Sequence, residues 1–328
     1  MLTGQPFFMR TGVVRFLCHS SHIGYNGSME RKVIRASVLG FCMGVRRAVE
    51  IARKSLVDFK DTSVYTYGPL IHNEKALEKL EKSGLRCLYT EEELEEVKKN
   101  AVESKKPPVI IIRAHGIPPE KRLSIEKSGC IVVDATCPRV LANQKKAASY
   151  AADGYTVIVA GDRNHGEVAA LAGCVKFSGS QCILVADRND AENVAVPCAG
   201  TDSSETRAVL IGQTTISRSE YDAVAAVLRR KIPGLVVLDT ICPATMERQK
   251  ALAELCGNVD GVVVIGGKNS ANTRRLYMTA QEKCAHAVHI EAASEIPPEF
   301  FSLGTVGIAA GASTPDDIID EVEFTLSK

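Results

Sequence analysis

The chain has 328 residues, 45% hydrophobic and 24% charged, with a net charge of +1 at neutral pH. That composition excludes disorder, collagen and coiled coil, supplies no field for nucleic acid or anionic membrane, and contains no apolar run near the ~18 residues needed to cross a bilayer. Eleven cysteines, an odd number, argue against a disulfide framework and for a reducing, cytoplasmic setting, while the absence of Trp leaves no stacking platform for bases.

Residues 1–28 carry two Arg, no acid and no apolar h-region of the kind a secretory signal needs. An upstream start before Met29, a flexible tail and a transit peptide all remain open readings, and residues 1–32 are set aside as a tail. From there, short β-branched runs predict strands at 33–39, 63–67, 109–113, 131–134, 156–160, 181–185, 207–211, 235–239, 261–265 and 305–309. Amphipathic segments between them predict helices that include 43–57, 73–83, 138–152, 217–231, 244–257 and 270–284. Buried strands alternating with helical crossovers define an α/β class with parallel sheets. The stretch 194–206 reads as a surface insertion.

The chain repeats itself. IVVDATCP at 131–138 returns as LVVLDTICP at 235–243, which places Cys137 on Cys242, 105 residues later. TVIVAGDRNHGEV falls on GVVVIGGKNSANT, which pairs His165 with Ser270 and Glu167 with Asn272. A weaker upstream copy supplies Cys42, then Gly68, His72 and Glu74 at the spacing of Gly161, His165 and Glu167. A further apolar run in each copy breaks into a polar loop, at His115, Thr214 and Ser313. Expected divisions are 33–44, a strand and first cysteine loop packing with the last lobe, then lobes at 45–136, 137–239 and 240–328. Ligands of such sheets lie beyond the strands' carboxyl ends, so the polar tips converge in a pseudo-three-fold cluster. A row of three separate sites also fits the repeat.

Three thiolates select zinc, Cu(I) or an iron–sulfur cluster. Zinc ribbons and fingers use paired CxxC ligands, which are absent. A cubane cluster normally takes four cysteines, so three leave one iron open. The other eight cysteines read as small buried hydrophobes. His72, His115, His165, Thr214, Ser270, Asn272 and Ser313 are donors of mixed type that suit a diphosphate or a carboxylate, with helix N-termini adding anion affinity. Glu167 is either a proton donor with a pKa raised by burial or an ordinary carboxylate at a helix N-terminus; Glu74 reads as the latter.

GFCMGVRRAV, GPLIHNE, RAHGIP, DATCP, GDRNHGEV, GQTT, DTICPATMERQ, IGGKNSANTRRL and GASTPD occur in this order. With them the chain resembles the 4-hydroxy-3-methylbut-2-enyl diphosphate reductase family, the last step of the methylerythritol phosphate route to isoprenoids, over residues 33–326. The resemblance implies a three-lobed α/β fold around a [4Fe-4S] cluster, which becomes [3Fe-4S] if the open iron is lost, with Cys42, Cys137 and Cys242 as its ligands. It implies that His72, His115, Ser270, Asn272 and Ser313 hold the diphosphate. It gives His165, Glu167 and Thr214 to the proton relay near the substrate hydroxyl. It further implies a two-electron reductive dehydration, a ferredoxin or flavodoxin as electron donor, no nucleic acid or membrane partner, and a monomer or weak dimer. Two departures stand out. Ala271 replaces a hydroxyl donor common in relatives, and Gly166 replaces a common Pro, which predicts weaker anchoring and a looser Glu167 loop. An iron–sulfur dehydratase without net reduction and a non-catalytic cluster-bearing sensor remain the rival readings.

Overall fold

A computed structural model describes residues 31–103, 106–195 and 207–328. Most of the expected tail and of the expected insertion at 194–206 lies outside the described residues. The fold begins with β1 (Lys32–Arg35) and α1 (Met43–Asp58). Next come β2 (Val64–Tyr67), α2 (Glu74–Lys82), β3 (Leu85–Leu88), α3 (Glu91–Glu103), β4 (Val109–Ile112), α4 (Pro119–Lys127) and β5 (Ile131–Asp134). The chain continues through α5 (Pro138–Ala152), β6 (Thr156–Ala160), α6 (Gly166–Phe177), β7 (Cys182–Val185), α7 (Arg188–Asn193), β8 (Ala208–Gly212), α8 (Arg218–Lys231) and β9 (Val236–Val237). It closes with α9 (Pro243–Cys256), β10 (Gly261–Ile265), α10 (Ala271–Lys283), β11 (His286–Ile290), β12 (Thr305–Ala310) and α11 (Asp316–Leu326). Among the described residues no helix is long and apolar enough to cross a membrane.

Three four-stranded sheets repeat one topology: β3-β2-β4-β5, β7-β6-β8-β9 and β11-β10-β12-β1. Every strand pair is parallel. The central strands VIII, AVLIG and GVVVI are buried along their whole length. Helices cover both faces of each sheet, so there is no polar side to alternate with. Ile111 packs with α1 and α2 on one face while Ile110 and Ile112 pack with α3 on the other. The third sheet is completed by the strand at the chain's start, since β1 pairs with β12 from Lys32↔Thr305 to Arg35↔Ile308.

Several expectations are corrected here. The first strand runs 32–35 rather than 33–39, so Lys32 belongs to the fold and not to the tail. The strand expected at 235–239 shrinks to Val236–Val237. Two edge strands were not expected: LRCL at β3 and HAVHI at β11 carry Arg, Cys and His because an edge strand is only partly covered. Helices α3, α4, α6, α7 and α11 add to the expected set, and α6 escapes because it is apolar nearly all round and has no polar stripe to reveal its period.

Each cysteine of the repeat stands where the chain passes from one sheet to the next. Cys42 leaves β1 of the third sheet and caps α1, whose Ala48, Val49 and Ala52 pack on the first sheet. Cys137 leaves β5 and caps α5, whose Ala147 and Ala151 pack on the second. Cys242 leaves β9 and caps α9, whose Leu252 and Leu255 pack on the third. The helix after each cysteine also reaches the loop before the next one. Arg47 Nη1 donates to the Thr136 carbonyl at 3.1 Å, Asn143 Nδ2 to the Thr240 carbonyl at 3.0 Å, and Arg248 Nη2 to the Gly40 carbonyl at 2.7 Å. The three contacts run head to tail and close a ring.

Asn143 is 4% exposed, so deleting its amide strands a buried carbonyl, which costs about 1–3 kcal/mol. Asn143→Ala is expected to lower the urea midpoint by that amount without changing the slope; an unchanged midpoint would show that the ring contact carries no stability.

Candidate active site

In each sheet the chain leaves a central strand toward one edge and returns on its other side. The crevice at that switch point, beyond the carboxyl ends of the strands, is where ligands bind in open α/β sheets. The loops after β2 and β4 carry His72 and His115, those after β6 and β8 carry His165 and Thr214, and those after β10 and β12 carry Ser270 and Ser313. Gly161 and Gly266, at the ends of β6 and β10, have φ of 155° and 149°, a region side chains rarely adopt, so the chain turns off the strand only with glycine there. The three crevices face one another. One cavity is lined by all eleven residues singled out from the sequence: Cys42, Cys137, Cys242, His72, His115, His165, Glu167, Thr214, Ser270, Asn272 and Ser313. One centre therefore replaces the alternative of three separate sites.

On the thiol wall, Cys42, Cys137 and Cys242 are free and each is a helix N-cap. Helix N-termini favour negative charge, so α1, α5 and α9 all direct positive dipole ends at the sulfurs. Burial pushes the Cys137 thiol up, the Arg139 and Val140 N–H groups at the start of α5 pull it back, and Cys42 and Cys242 are near enough to raise it again. A methyl group on Gly44 would run into the Cys137 sulfur, so glycine two residues past Cys42 lets the neighbouring thiol approach α1. Each cysteine N–H also donates to a carbonyl of the adjoining switch-point loop: Cys42 to Ala312 at 3.0 Å, Cys137 to Ala114 at 2.9 Å and Cys242 to Thr214 at 2.9 Å. Three inward thiols, with no disulfide among them and with N–H-rich surroundings, fit a soft metal or an iron–sulfur group.

On the facing wall the imidazoles of His72, His115 and His165 cluster with ring centroids 4.6–5.4 Å apart. Burial lowers all three, His72 to about 4 and His165 to about 3; Arg113 pushes the same way at each, with Arg274 at His72 and neighbouring imidazoles at His115 and His165. They are neutral near pH 7. The His165 Nδ1 accepts from the Glu167 N–H at 3.2 Å, which leaves its proton on Nε2. The His72 Nε2, His115 Nδ1 and Asn272 Nδ2 are buried and have no partner among the described residues, which leaves them free for a ligand. The three imidazoles are close enough to bind a metal ion. Metal-bound histidines normally donate their other N–H to an acceptor, and neither His72 nor His115 does so among the described residues, so the trio fits hydrogen bonding to an anion better. The N-termini of α2, α6 and α10 open at the same wall, and Ser313 Oγ donates across to the His72 carbonyl at 3.0 Å.

Between the walls lies Glu167, 1% exposed. Its Oε1 accepts from the Thr214 N–H and its Oε2 from the Thr214 hydroxyl, each at 2.7 Å. Burial pushes its carboxyl up to about 7, against the pull of the Thr214 hydrogen bonds. The same Thr214 accepts the Cys242 N–H through its carbonyl, so the acid and the thiol wall share one residue. Glu74, by contrast, is an exposed first-turn carboxylate.

The register of the switch-point loops needs one adjustment. Judged by which carbonyl accepts the cysteine N–H, Thr214 corresponds to Ala114 and Ala312, and Thr215, also at the cavity, corresponds to His115 and Ser313. Arg113 and Arg248, not singled out from the sequence, adjoin the site. Both are cations that interrupt apolar patterning, and only their surroundings reveal them. At Gly166 a Cβ would lie 2.5 Å from the Arg113 Nη2, so the guanidinium rests against this glycine. Ala271 lines the cavity without a donor side chain, while neighbouring Ser270 caps α10 by accepting the Thr273 N–H.

Fold and site together define the class: a three-lobed α/β enzyme with a thiol-bearing central cavity. The chain belongs to the LytB protein family, whose model matches residues 33–327. It is 48% identical over 296 residues to a 4-hydroxy-3-methylbut-2-enyl diphosphate reductase of Treponema denticola, covering 90% of this chain and 98% of the relative. A relative of the same name from Aquifex aeolicus is 37% identical over 297 residues, covering 90% and 96%. The solved E-1-hydroxy-2-methyl-but-2-enyl-4-diphosphate reductase of Plasmodium falciparum superposes with a TM-score of 0.81 at 26% identity, over 91% of this chain and 89% of that one.

Because the Glu167 carboxyl rises from 4.5 to about 7 on burial, the folded state binds this proton more tightly than the unfolded state. The stabilisation is full below about pH 4.5 and is lost as pH rises through 7, an effect of about 3 kcal/mol. In metal-free protein, Glu167→Gln is expected to flatten the fall in unfolding free energy between pH 4.5 and 7.5; an unchanged slope would show that Glu167 does not titrate there.

Proposed function

We propose that the chain reduces 4-hydroxy-3-methylbut-2-enyl diphosphate to isopentenyl and dimethylallyl diphosphate. Two electrons and two protons are consumed, the C–O bond to the allylic hydroxyl breaks, and that hydroxyl leaves as water. The observation that carries this reading is one cavity with three thiols on helix N-termini along one wall and the unpartnered His72, His115 and Asn272 nitrogens on the other.

Cys42, Cys137 and Cys242 would hold a [4Fe-4S] cluster, with [3Fe-4S] as the form left when the iron lacking a protein thiolate is lost. Such a cluster supplies electrons singly and, at the iron without a thiolate, a Lewis acid for a hydroxyl oxygen. The diphosphate lies at the facing wall, where His72, His115, Ser270 and Asn272 donate hydrogen bonds, the Ser313 hydroxyl turns from the His72 carbonyl to join them, and the N-termini of α2, α6 and α10 add field. Anchoring that end converts remote binding energy into position at the hydroxyl. The Thr214 hydroxyl donates to Glu167 and so orients the acid, and its free lone pair accepts from the substrate hydroxyl.

Glu167, half-protonated near neutrality, gives its proton to the departing hydroxyl. His165, neutral and with N–H on Nε2, donates toward the same region and keeps the Glu167 backbone fixed through Nδ1. The allyl fragment takes its proton at either end, giving the two products. A ferredoxin or flavodoxin is the electron donor this reading calls for, with the protein acting as a monomer or weak dimer in the cytoplasm.

Under anaerobic conditions with a low-potential reductant, wild-type protein is expected to form both products. Glu167→Gln should lower turnover about 100-fold or more with KM within a few-fold. Product formed without any reductant would indicate a dehydratase, and undiminished turnover by Glu167→Gln would remove the carboxyl from the proton path.

A further inference from the structure

Arg113 precedes His115 by two residues in the loop after β4, and it is partly buried. Its guanidinium occupies a berth between two glycines. A Cβ on Gly68 would lie 2.5 Å from Nη1, and a Cβ on Gly166 would lie 2.5 Å from Nη2. Those glycines belong to the loops that carry His72 and His165. The guanidinium therefore stands behind the imidazole cluster, and its positive charge reaches His72, His115 and His165 alike. It is not part of the cavity lining.

What Arg113 lacks is an anion. Among the described residues its side chain makes one hydrogen bond, a long 3.5 Å contact from Nε to the Gly116 carbonyl, and no carboxylate pairs with it. Burial works against its charge, yet a guanidinium does not give up its proton in a protein. A partly buried cation with no carboxylate beside it gains from an anion brought from outside. The other cations nearby are paired, exposed or on the thiol side, where Arg248 donates to the Ala244 and Gly40 carbonyls. Arg275 is paired with Asp162 and Glu220, and Arg274 lies 3.6 Å from Asp162. Arg139 reaches the cavity from the thiol side and is exposed, hence screened.

The donors facing the proposed diphosphate are all neutral, whereas a diphosphate ester carries between about −2 and −3 near neutral pH. We propose that Arg113 is the counter-charge for the diphosphate: a positioning residue that acts through the three histidines, in a berth that Gly166 and Gly68 keep open. The proposal rests on the functional reading above. It also bears on Gly166, where a Cβ would require the guanidinium to shift from its present place.

The test is titration of inorganic diphosphate into the anaerobic holoenzyme, followed by steady-state kinetics with the allylic diphosphate. Arg113→Gln is expected to raise the Kd for inorganic diphosphate and the KM for substrate roughly tenfold, the range of one charge acting without contact across a partly buried medium, with kcat within about threefold. Arg113→Lys should recover most of the loss, and Gly166→Ala should weaken binding in the same direction with the charge still present. The dependence of Kd on salt should be shallower in Arg113→Gln. Binding by Arg113→Gln within twofold of wild type would overturn the proposal, as would equal losses in the Gln and Lys variants, which mark a packing role. If Arg113→Gln does not fold, Arg113→Lys decides: a wild-type salt slope supports the proposal and a shallower one overturns it. Wild-type protein that neither binds inorganic diphosphate nor reduces the substrate would overturn the functional reading, and the role of Arg113 with it.

Discussion

The structure depends on how one lobe hands the chain to the next. At each of three places a strand ends, a cysteine caps a helix, and that helix packs on the following sheet while its side chain holds the loop before the following cysteine. Arg47, Asn143 and Arg248 make these contacts in a closed order. Because β1 completes the third sheet, the last contact joins the end of the repeat to its beginning. A linear chain thus becomes a ring, and the thiols, being at the joints, face its centre. Shifting one joint would move a sulfur and the adjoining loop together, since each cysteine N–H is bonded to that loop.

The ring also sets the electrostatics. Six helices, α1, α2, α5, α6, α9 and α10, begin at or beside the cavity, so orphan N–H groups and dipole ends make it receptive to negative charge without many cations in contact. The same enclosure removes water, which keeps the imidazoles neutral and leaves Glu167 able to hold a proton near neutrality. A carboxyl with that pKa beside a wall of neutral donors and a thiol wall is suited to giving a proton to a poor leaving group. Thr214 couples these parts mechanically, through its hydroxyl and N–H to Glu167 and its carbonyl to Cys242.

Much of this was legible in the sequence because function sits on the repeat. Central strands such as VIII and GVVVI are uniformly apolar, and the residue after each such run is where a parallel sheet presents ligands, so His72, His165 and Ser270 could be aligned by position alone. The edge strands could not, since Arg86 in β3 and His286 in β11 face solvent and blur the pattern. Nor could the loop register: Thr214 and Thr215 are adjacent hydroxyl residues, and only the carbonyl that accepts the Cys242 N–H separates their roles. Arg113 was hidden for a different reason. Its meaning lies in what it does not touch, an absent carboxylate, and a missing partner leaves no mark in the order of residues. Gly166 read as slack in one dimension and is where the Arg113 guanidinium rests in three.

The central claim is that the three thiols hold one inorganic iron–sulfur core. Iron and acid-labile sulfide analysis of anaerobically purified protein, compared with Cys137→Ser, tests it most directly. The account predicts three to four irons with matching sulfide per chain, absent from the variant. Bound zinc without sulfide, or a full iron and sulfide complement surviving the loss of Cys137, would contradict it.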